Sequence, residues 1–460
     1  MKKKYDLIII GSGVAGSKTA FECHAKGLKT AVIDKNPFGG TCSQKGCDPK
    51  KILMGAAEIM DRAELMSGKG INSKKISINW KELMQFKRTF TEPVPRKTIQ
   101  NFHKAGIDTF RGTAFFTGKN TIKVNEQELE GKKILIAAGQ KPADLKIKGR
   151  DFLITYEGFL DLDKLPENII FIGGGYIAFE FASIASRAGT RVHIIHDGKS
   201  PLEKFDKDLV NLLVKNYRKY GIKISVNTKV TGIKEINNKF IVYCNTNGKE
   251  KTYKCDLAVH AAGRIPDIDE LNLKAGMVKR DKRGIIVNQF MQSVSNPRVY
   301  SAGDSASGRN GIPLTPVAGK GAEIVIRNIL YGNSAKADFN ITPSVVFTLP
   351  VLASAGLTEE QAMQKKIKYM VNFGNSSKWY STKRLGMKNT GFKILLDSSG
   401  KKILGAHLLS GNSEEVINLF SLAMSANLNI EAIDNMIFSY PTHSSDISYM
   451  LNKKDFKPGK

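Results

Sequence analysis

One strand–glycine–helix pattern occurs twice in this chain of 460 residues, and it restricts the possible folds more than any other feature. In the first copy, the apolar stretch from Tyr5 to Ile10 runs into Gly11-Ser12-Gly13-Val14-Ala15-Gly16 and then into a helical pattern. In the second copy, a strand pattern at 168–172 precedes Gly173-Gly174-Gly175-Tyr176-Ile177-Ala178. A βαβ unit that repeats after about 160 residues predicts two parallel sheets, each flanked by helices.

The glycines of the first copy have separate tasks in binding a dinucleotide. Gly11 permits a tight turn, Gly13 lets a pyrophosphate approach the backbone, and Gly16 allows the helix to pack closely on the strand. The helix that follows directs its unpaired amide groups and positive dipole at the phosphates. Asp34 ends the next strand pattern, where a carboxylate can accept hydrogen bonds from ribose hydroxyls. The second copy, with alanine in the third position, predicts a second dinucleotide.

Two such sites suit one tightly held flavin and one exchanging nicotinamide nucleotide, the latter at Gly173 and Gly175. The residue that ends the second strand of this unit is expected to distinguish NADH from NADPH. His196 stands there, followed by Asp197, so the carboxylate that would hold a 2′-hydroxyl is absent from the expected place. Because His196 and Lys199 could hold a 2′-phosphate instead, the sequence favours NADPH.

Two cysteines, Cys42 and Cys47, follow the first glycine pattern closely. Thiol pairs in an intracellular protein are more often redox-active or metal-binding than structural. On one ideal helix, five steps would separate the Cα atoms by about 7.5 Å, beyond the roughly 7 Å limit for an unstrained disulfide. The spacing therefore predicts a strained, easily reduced bond at a helix start. We expect the remaining cysteines to be buried packing residues: Cys23, Cys244 and Cys255.

The balance of charged residues indicates which kinds of partner the chain can attract. Lysine and arginine number 70 against 43 aspartates and glutamates, a formal net charge of +27. Such a field attracts anionic small molecules, nucleic acids and anionic lipids alike. The lysines are spread along the whole chain, however, and no apolar run approaches the ~20 residues of a membrane helix. We therefore predict an anionic substrate, no specific nucleic acid, no membrane span and a cytoplasmic location.

Together these motifs resemble, along nearly the whole chain, the class I pyridine nucleotide–disulfide oxidoreductases, a family that includes glutathione reductase, dihydrolipoamide dehydrogenase and mercuric reductase. The matching segments are both glycine patterns, the cysteine frame at 39–51, and 263–266, 302–304, 314–318 and 346–358. The resemblance implies an α/β fold with two Rossmann-like dinucleotide-binding domains plus a C-terminal α+β dimerisation domain. The expected boundaries are 1–148 and 265–335 for a split FAD-binding domain, 149–264 for an NAD(P)-binding domain and 336–460 for the dimerisation domain.

The resemblance also implies roles for single residues. Cys47 would face the flavin and Cys42 would attack the substrate. Lys51 and Glu180 match a buried ion pair beside the flavin, with two surface charges as the alternative. Tyr176 matches a gate over the nicotinamide, with a packing tyrosine as the alternative. The positions implied in binding the two dinucleotides are Gly11, Gly13, Gly16, Asp34, Thr41, Lys51, Gly139, Gly173, Gly175, Tyr176, His196, Gly263, Asp304 and Thr315.

The acid/base residue departs from the family pattern. The family ends in His-Pro-Thr-x-x-Glu, contributed across a homodimer, and its histidine serves the leaving thiol. This chain has Tyr440-Pro441-Thr442-His443-Ser444-Ser445-Asp446, so tyrosine takes the histidine's place. Tyr440 could donate the proton, or His443 and Asp446, three residues apart, could form a displaced acid/base pair. Alternatively, His443 caps the helix start or faces solvent.

A second departure is Asp48, which follows the second cysteine where the family usually has an apolar residue. A carboxylate there would raise the pKa of the Cys47 thiol, whereas Lys50, Lys51 and the helix N-terminus would lower it. The sequence leaves the sign of the net effect open.

These patterns and the resemblance together imply an FAD-dependent NAD(P)H:disulfide oxidoreductase that acts as a homodimer on a small anionic disulfide, such as a glutathione-like one, and needs no metal. The alternatives are another acceptor, such as a lipoamide-type dithiol, a quinone or a metal ion, or a redox-responsive binding protein. Mercuric reductases also carry tyrosine at the position of Tyr440, but they add a C-terminal cysteine pair. No cysteine follows Cys255 in this chain, which counts against mercury reduction.

Overall fold

The computed structural model describes residues 2–308 and 312–459. The chain separates into two compact units, each assembled from three segments. Unit 1 comprises Met1–Lys50, Gln85–Ala143 and Gly263–Asn340, and unit 2 comprises Lys51–Met84, Asp144–Ala262 and Ile341–Lys460. The finer boundaries expected for the cofactor-binding and dimerisation domains stay a prediction.

The helices and strands follow the pattern expected from the sequence. In the described residues the helices are α1 (Val14–Ala25), α2 (Gly40–Lys45), α3 (Cys47–Leu65), α4 (Trp80–Thr91), α5 (Val94–Lys104), α6 (Tyr156–Leu160), α7 (Tyr176–Arg187), α8 (Lys207–Lys219), α9 (Thr315–Tyr331), α10 (Glu359–Gln364), α11 (Tyr380–Lys383), α12 (Ser413–Ser425), α13 (Ile430–Asp434) and α14 (Ile447–Met450). The strands there are β1 (Lys3–Ile10), β2 (Thr30–Asp34), β3 (Asp108–Arg111), β4 (Ala114–Gly118), β5 (Thr121–Val124), β6 (Gln127–Ile136), β7 (Gln140–Pro142), β8 (Ile154–Thr155), β9 (Asn168–Ile172), β10 (Arg191–Ile195), β11 (Lys223–Ser225), β12 (Thr228–Ile236), β13 (Lys239–Thr246), β14 (Lys249–Cys255), β15 (Leu257–His260), β16 (Arg264–Pro266), β17 (Arg280–Asp281), β18 (Gly284–Ile286), β19 (Val299–Ser301), β20 (Ala306–Ser307), β21 (Ser344–Val346), β22 (Val351–Gly356), β23 (Tyr369–Asn375), β24 (Gly391–Asp397), β25 (Ile403–Ser410) and β26 (Lys457–Pro458).

Unit 1 is built on a seven-stranded sheet in the order β3-β2-β1-β6-β5-β4, with β19 also paired with β6. Strands β1, β2, β3, β6 and β19 are parallel, whereas β4 and β5 are antiparallel to their neighbours. Leu7, Ile8 and Ile9 of β1 are fully buried, as expected of a parallel strand covered on both faces. The carboxyl end of β1 opens into the first glycine loop, at the sheet edge where such folds bind ligands.

Unit 2 contains a parallel five-stranded sheet, β11-β10-β9-β15-β8, whose central strand β9 leads into the second glycine loop. Its C-terminal part forms a six-stranded antiparallel sheet, β21-β22-β25-β24-β23-β26. These sheets confirm the expected mixed α/β fold with two Rossmann-like sheets and a C-terminal antiparallel domain. None of the described helices has both the length and the apolar composition needed to cross a membrane.

Candidate active site

The glycine loop after β1 leaves no room for side chains where a pyrophosphate would approach. Gly11 has a φ of +105°, and a Cβ there would lie 2.2 Å from the carbonyl oxygen of Ala137. A Cβ on Gly40 would lie 2.4 Å from the Cα of Gly13, so these two backbone segments are in contact. No side chain caps α1 at Gly13, which leaves its first amide groups available. The loop therefore fits the dinucleotide that the sequence predicts.

Asp34 and Asp304 are the carboxylates expected to hold the sugar portions of FAD. The amide and the hydroxyl of Ser12 donate to Asp34 Oδ2 at 2.8 and 2.6 Å, which fixes this carboxylate beside the glycine loop. Arg264 Nη2 lies 3.3 Å from Asp304 Oδ2. Burial raises the pKa of Asp304, and the Arg264 guanidinium partly opposes this effect. The carboxylate oxygens of both residues can therefore accept hydrogen bonds from ribose or ribityl hydroxyl groups.

Three further positions expected at the cofactor lie in unit 1. Thr41 is in α2. Gly139 and Gly263 have φ values of +72° and +102°, and a Cβ on either would meet nothing within 4 Å. The short strands that follow them, β7 and β16, pair with each other in antiparallel fashion, so the two glycines lie at opposite ends of one small sheet. This open space is compatible with a ligand.

The two cysteines lie in different helices. Cys42 belongs to α2, whereas Cys47 begins α3. Between them Gly46 has φ −142° and ψ −116°, far from helical values, so the rise of one continuous helix does not apply. The premise of one continuous helix is therefore wrong, whereas an easily reduced disulfide between the two cysteines stays a prediction. A Cβ on Gly46 would lie 3.0 Å from the Thr41 carbonyl oxygen, so the close approach at this break favours glycine.

The structure shows both cysteines as free thiols, linked through one threonine. The Thr315 hydroxyl lies 3.3 Å from the sulfur of Cys42 and 3.3 Å from that of Cys47. A hydrogen bond from Cys42 is the main cause that lowers the pKa of Cys47 to about 6. Thr315 and Lys50 act in the same direction, against burial and Asp48. The same pair interaction, together with burial, raises the pKa of Cys42. The net effect is therefore a Cys47 thiolate beside a protonated Cys42.

We expect the Cys47 thiolate of the reduced protein to form around pH 6 and to be protonated below it. Thr315→Val removes one hydrogen bond to this charged sulfur, worth about 1.5 kcal/mol, and should raise the midpoint to about pH 7. The ultraviolet absorbance of the thiolate, followed against pH, measures the midpoint. Burial raises the pKa values of Cys23, Cys244 and Cys255 to about 12, 11 and 12, so these thiols do not contribute.

Thr315→Ser is the matched control, because it keeps the hydroxyl and should keep the midpoint near pH 6. An unchanged midpoint in Thr315→Val would show that the threonine does not stabilise the thiolate.

The second glycine loop has the same form as the first. Gly173 has a φ of +119°, and a Cβ there would lie 2.4 Å from a backbone carbonyl oxygen. A Cβ on Gly175 would meet nothing within 4 Å, and the exposed Tyr176 begins α7 beside it. The ring of His196 packs against Gly174, where a Cβ would lie 2.6 Å from its Cγ. The loop fits a second dinucleotide, with His196 beside it.

Lys51 and Glu180 both contact Phe347. Glu180 is buried in α7 and accepts a hydrogen bond from the Phe347 amide at 2.9 Å. The Lys51 ammonium lies 4.7 Å from the centroid of the Phe347 ring and 2.5 Å from Glu58 Oε1. The sequence reasoning missed Glu58, although its spacing of 7 residues from Lys51, about two helical turns, could have indicated the contact. Whether Lys51 and Glu180 pair beside a flavin stays a prediction.

The structure places Tyr440 and His443 in different environments. Tyr440 is 71% exposed, and its ring stacks on Tyr380 with the centroids 6.4 Å apart. His443 is only 7% exposed, and its Nδ1 lies 3.8 Å from Asp446 Oδ2, which is close but too far for a hydrogen bond. Whether the two residues act as an acid/base pair stays a prediction. The alternative in which His443 faces solvent is wrong. Burial and two nearby arginines lower the pKa of His443, and burial raises that of Asp446 against a hydrogen bond from Ser381.

Three carboxylates of unit 2, on Asp206, Asp208 and Glu359, are close enough to one another to hold a metal ion. The Lys393 ammonium lies 2.9, 2.5 and 2.8 Å from them and already neutralises part of their charge. We therefore interpret the cluster as an ion-pair network around the buried Lys393.

Comparisons with known proteins agree with this geometry. The family described as pyridine nucleotide-disulphide oxidoreductase matches residues 5–322, and its dimerisation domain matches residues 342–451. A mercuric reductase of Staphylococcus aureus is 30% identical over 444 residues, which cover 95% of this chain and 80% of that protein. A glutathione reductase of Burkholderia cepacia is 29% identical over 457 residues, which cover 98% of this chain and 100% of that protein. The solved structure of the Cu(II) complex of the HOCl-induced flavoprotein disulfide reductase RclA from Escherichia coli matches with a TM-score of 0.87 at 25% identity. The match covers 98% of this chain and 99% of that chain.

Proposed function

Because the chain belongs to the pyridine nucleotide-disulphide oxidoreductase family, we propose that it reduces a small anionic disulfide, such as a glutathione-like one, as a homodimer. The electron donor would be NAD(P)H, bound FAD would link it to the thiols, and the redox-active pair Cys42 and Cys47 would reduce the substrate. The observation that carries the proposal is the pair of free thiols that share a proton beside Thr315, with the pKa of Cys47 lowered to about 6. One sulfur is therefore a thiolate at neutral pH, as a dithiol reductant requires.

FAD, when bound, supplies two-electron transfer between the nicotinamide and the thiols. The Gly11 loop, Asp34 and Asp304 hold it, and Thr315 presents the amino end of α9 to the same site. The loop from Gly173 to Tyr176 holds NAD(P)H. The sequence favours NADPH over NADH, but the choice depends on the surroundings of His196. The cytoplasmic location expected from the sequence stays a prediction.

The reduced thiols react with the disulfide in two steps. The shared proton moves from Cys42 to Cys47, and the Cys42 thiolate attacks one substrate sulfur, which forms a mixed disulfide and releases the first thiolate. A proton donor converts that thiolate to a thiol. Cys47 then loses its proton and attacks the Cys42 sulfur, which releases the second thiol and leaves a Cys42–Cys47 disulfide. The two cysteines supply both electrons, while one of the two protons that the substrate gains is their shared proton and the other comes from the proton donor.

Tyr440 is the proton donor that the geometry supports over His443. Its phenol is exposed and can face a partner subunit, as the family's acid/base residue does. His443 lies inside its own unit, where burial and two arginines lower its pKa and so keep the ring neutral near pH 7. We propose that His443 and Asp446 instead stabilise the segment that carries Tyr440.

A metal ion is a second candidate acceptor, favoured by one observation. Asp48 Oδ1 lies 3.9 Å from the sulfur of Cys42, so a carboxylate adjoins the two thiols. Thiolate ligands suit soft ions such as Cu(I). The RclA relative forms a Cu(II) complex. Stimulation of NAD(P)H oxidation by a copper salt, but not by a disulfide, would favour this acceptor.

An anaerobic titration of the FAD-loaded protein with NADPH, and then with NADH, tests the proposal. We expect a long-wavelength absorption band from a thiolate beside an oxidised flavin after two electrons, followed by turnover with glutathione disulfide. Bleaching of the flavin without this band would show that the thiols are not coupled to it. Because the chain is basic, its kcat/KM for glutathione disulfide should fall with added salt, whereas that for an uncharged hydroxyethyl disulfide should not.

A further inference from the structure

His196 occupies the position beside the second glycine loop where the adenosine ribose of a dinucleotide is expected. It directly follows β10, and its ring packs against Gly174. Its Nε2 lies 3.1 Å from the carbonyl oxygen of Ser200, which can only accept, so Nε2 carries a hydrogen and donates it. Nδ1 is buried without a hydrogen-bond partner among the described residues. Neither ring nitrogen is therefore presented as a free donor to a 2′-phosphate.

Two carboxylates flank this ring. Asp197 Oδ1 lies 3.4 Å from Nδ1 of His196, and Glu203 Oε1 lies 3.7 Å from Nε2. Both side chains are mostly exposed, at 74% and 67%, so both can reach a ligand. A Cβ on Gly198 would lie 2.5 Å from His196 Nε2 and 2.6 Å from Glu203 Oε1, which shows that this loop folds back over the ring. Carboxylate oxygens are acceptors only, so they suit a ribose hydroxyl and repel a phosphate.

Lys199 is the residue that could oppose this preference for a ribose hydroxyl over a phosphate. It is exposed, and among the described residues no ion pair holds it toward the ribose position. The net charge of +27 attracts phosphates of any kind from a distance, but at physiological ionic strength exposed charges are screened beyond about 8 Å. Two carboxylates therefore lie within 4 Å of the ring, and in the described residues neither of them is paired with a lysine or an arginine.

We propose that Glu203, assisted by Asp197, is a specificity-determining residue that makes the chain select NADH and reject the 2′-phosphate of NADPH. The inference rests on the proposed use of a nicotinamide nucleotide at this loop, and it reverses the preference that the sequence suggests. The carboxylate that normally ends the strand is replaced by one from the following loop. Sequence spacing gives no signal for this, because the 197–203 loop has no periodic pattern.

The test compares two fragments that differ only in the 2′-phosphate, 5′-AMP and adenosine 2′,5′-bisphosphate, by calorimetry on the FAD-loaded protein at about 0.15 M salt. We expect the wild type to bind 5′-AMP at least about tenfold more tightly. Glu203→Gln should reduce this difference in affinity severalfold, and Glu203→Arg should make the bisphosphate the tighter ligand. The ratio of kcat/KM for NADH to that for NADPH should change in the same direction.

Glu167→Gln is the matched control. Glu167 is exposed and pairs with Arg191, which begins β10 about 16 Å along the strand from His196. Its replacement should therefore leave both ratios unchanged. Equal or tighter binding of the bisphosphate by the wild type, or an unchanged ratio in Glu203→Gln, would overturn the proposal. Failure of both nucleotides to reduce the flavin would instead count against the proposed function, while the fragment affinities would still decide the role of Glu203.

Discussion

Cys42→Ser is expected to lower turnover with glutathione disulfide by at least about 10³-fold while the protein still binds FAD and its flavin is still reduced by the nicotinamide nucleotide. A serine hydroxyl is far too weak a nucleophile at neutral pH to attack a disulfide. It keeps nearly the same volume, however, and can still donate a hydrogen bond to Cys47. The variant therefore separates the chemistry of the thiol from folding and cofactor binding. Steady-state turnover, flavin content and anaerobic flavin reduction are measured on one preparation.

Ser43→Ala is the matched control for this variant. Ser43 lies next to Cys42 in α2, and its hydroxyl donates to the Gly39 carbonyl oxygen at 3.0 Å without contact to a thiol. It should keep turnover within about a factor of two of the wild type. Retained disulfide turnover in Cys42→Ser would remove the proposed mechanism and would leave a flavin reductase with another acceptor.

The fold could be predicted from the sequence because its signals are local. β1, β9 and α9 lie within about two residues of the positions that apolar runs, glycine patterns and Thr315 indicate. The helix break at Gly46 was missed, since a glycine between two helical segments does not by itself show where one helix ends and another begins.

The candidate site depends on contacts that no local pattern encodes. Asp446 is held inside unit 2 by the hydroxyl of Ser381, 65 positions away in the chain, and this packing accompanies the burial of His443. The lowered pKa of Cys47 depends first on the hydrogen bond from Cys42 and then on Thr315, which lies 268 positions away. In both cases the residue type and its role could be suspected from the sequence, but burial and the hydrogen-bond partner could not.

Tyr440→Phe is expected to lower turnover with glutathione disulfide by about 10²-fold, because it removes the proposed proton donor for the first leaving thiolate. The loss should depend on the substrate. An aromatic dithiobis-nitrobenzoate releases a thiolate that is stable without protonation, so its turnover should fall by less than about threefold. A role in folding or dimerisation would lower both activities equally, whereas a role as proton donor lowers only the first. The two substrates, measured on the same enzyme, make this distinction.

Tyr449→Phe is the matched control, because Tyr449 is also an exposed tyrosine of unit 2, in ring contact with Trp379, and has no proposed role in catalysis. It should leave both substrates unaffected. His443→Gln decides between the two candidate donors. If His443 were the donor, His443→Gln would lose the glutathione activity selectively and Tyr440→Phe would not. The burial of His443 and the exposure of Tyr440 argue for the opposite outcome, in which any effect of His443→Gln falls on both substrates alike.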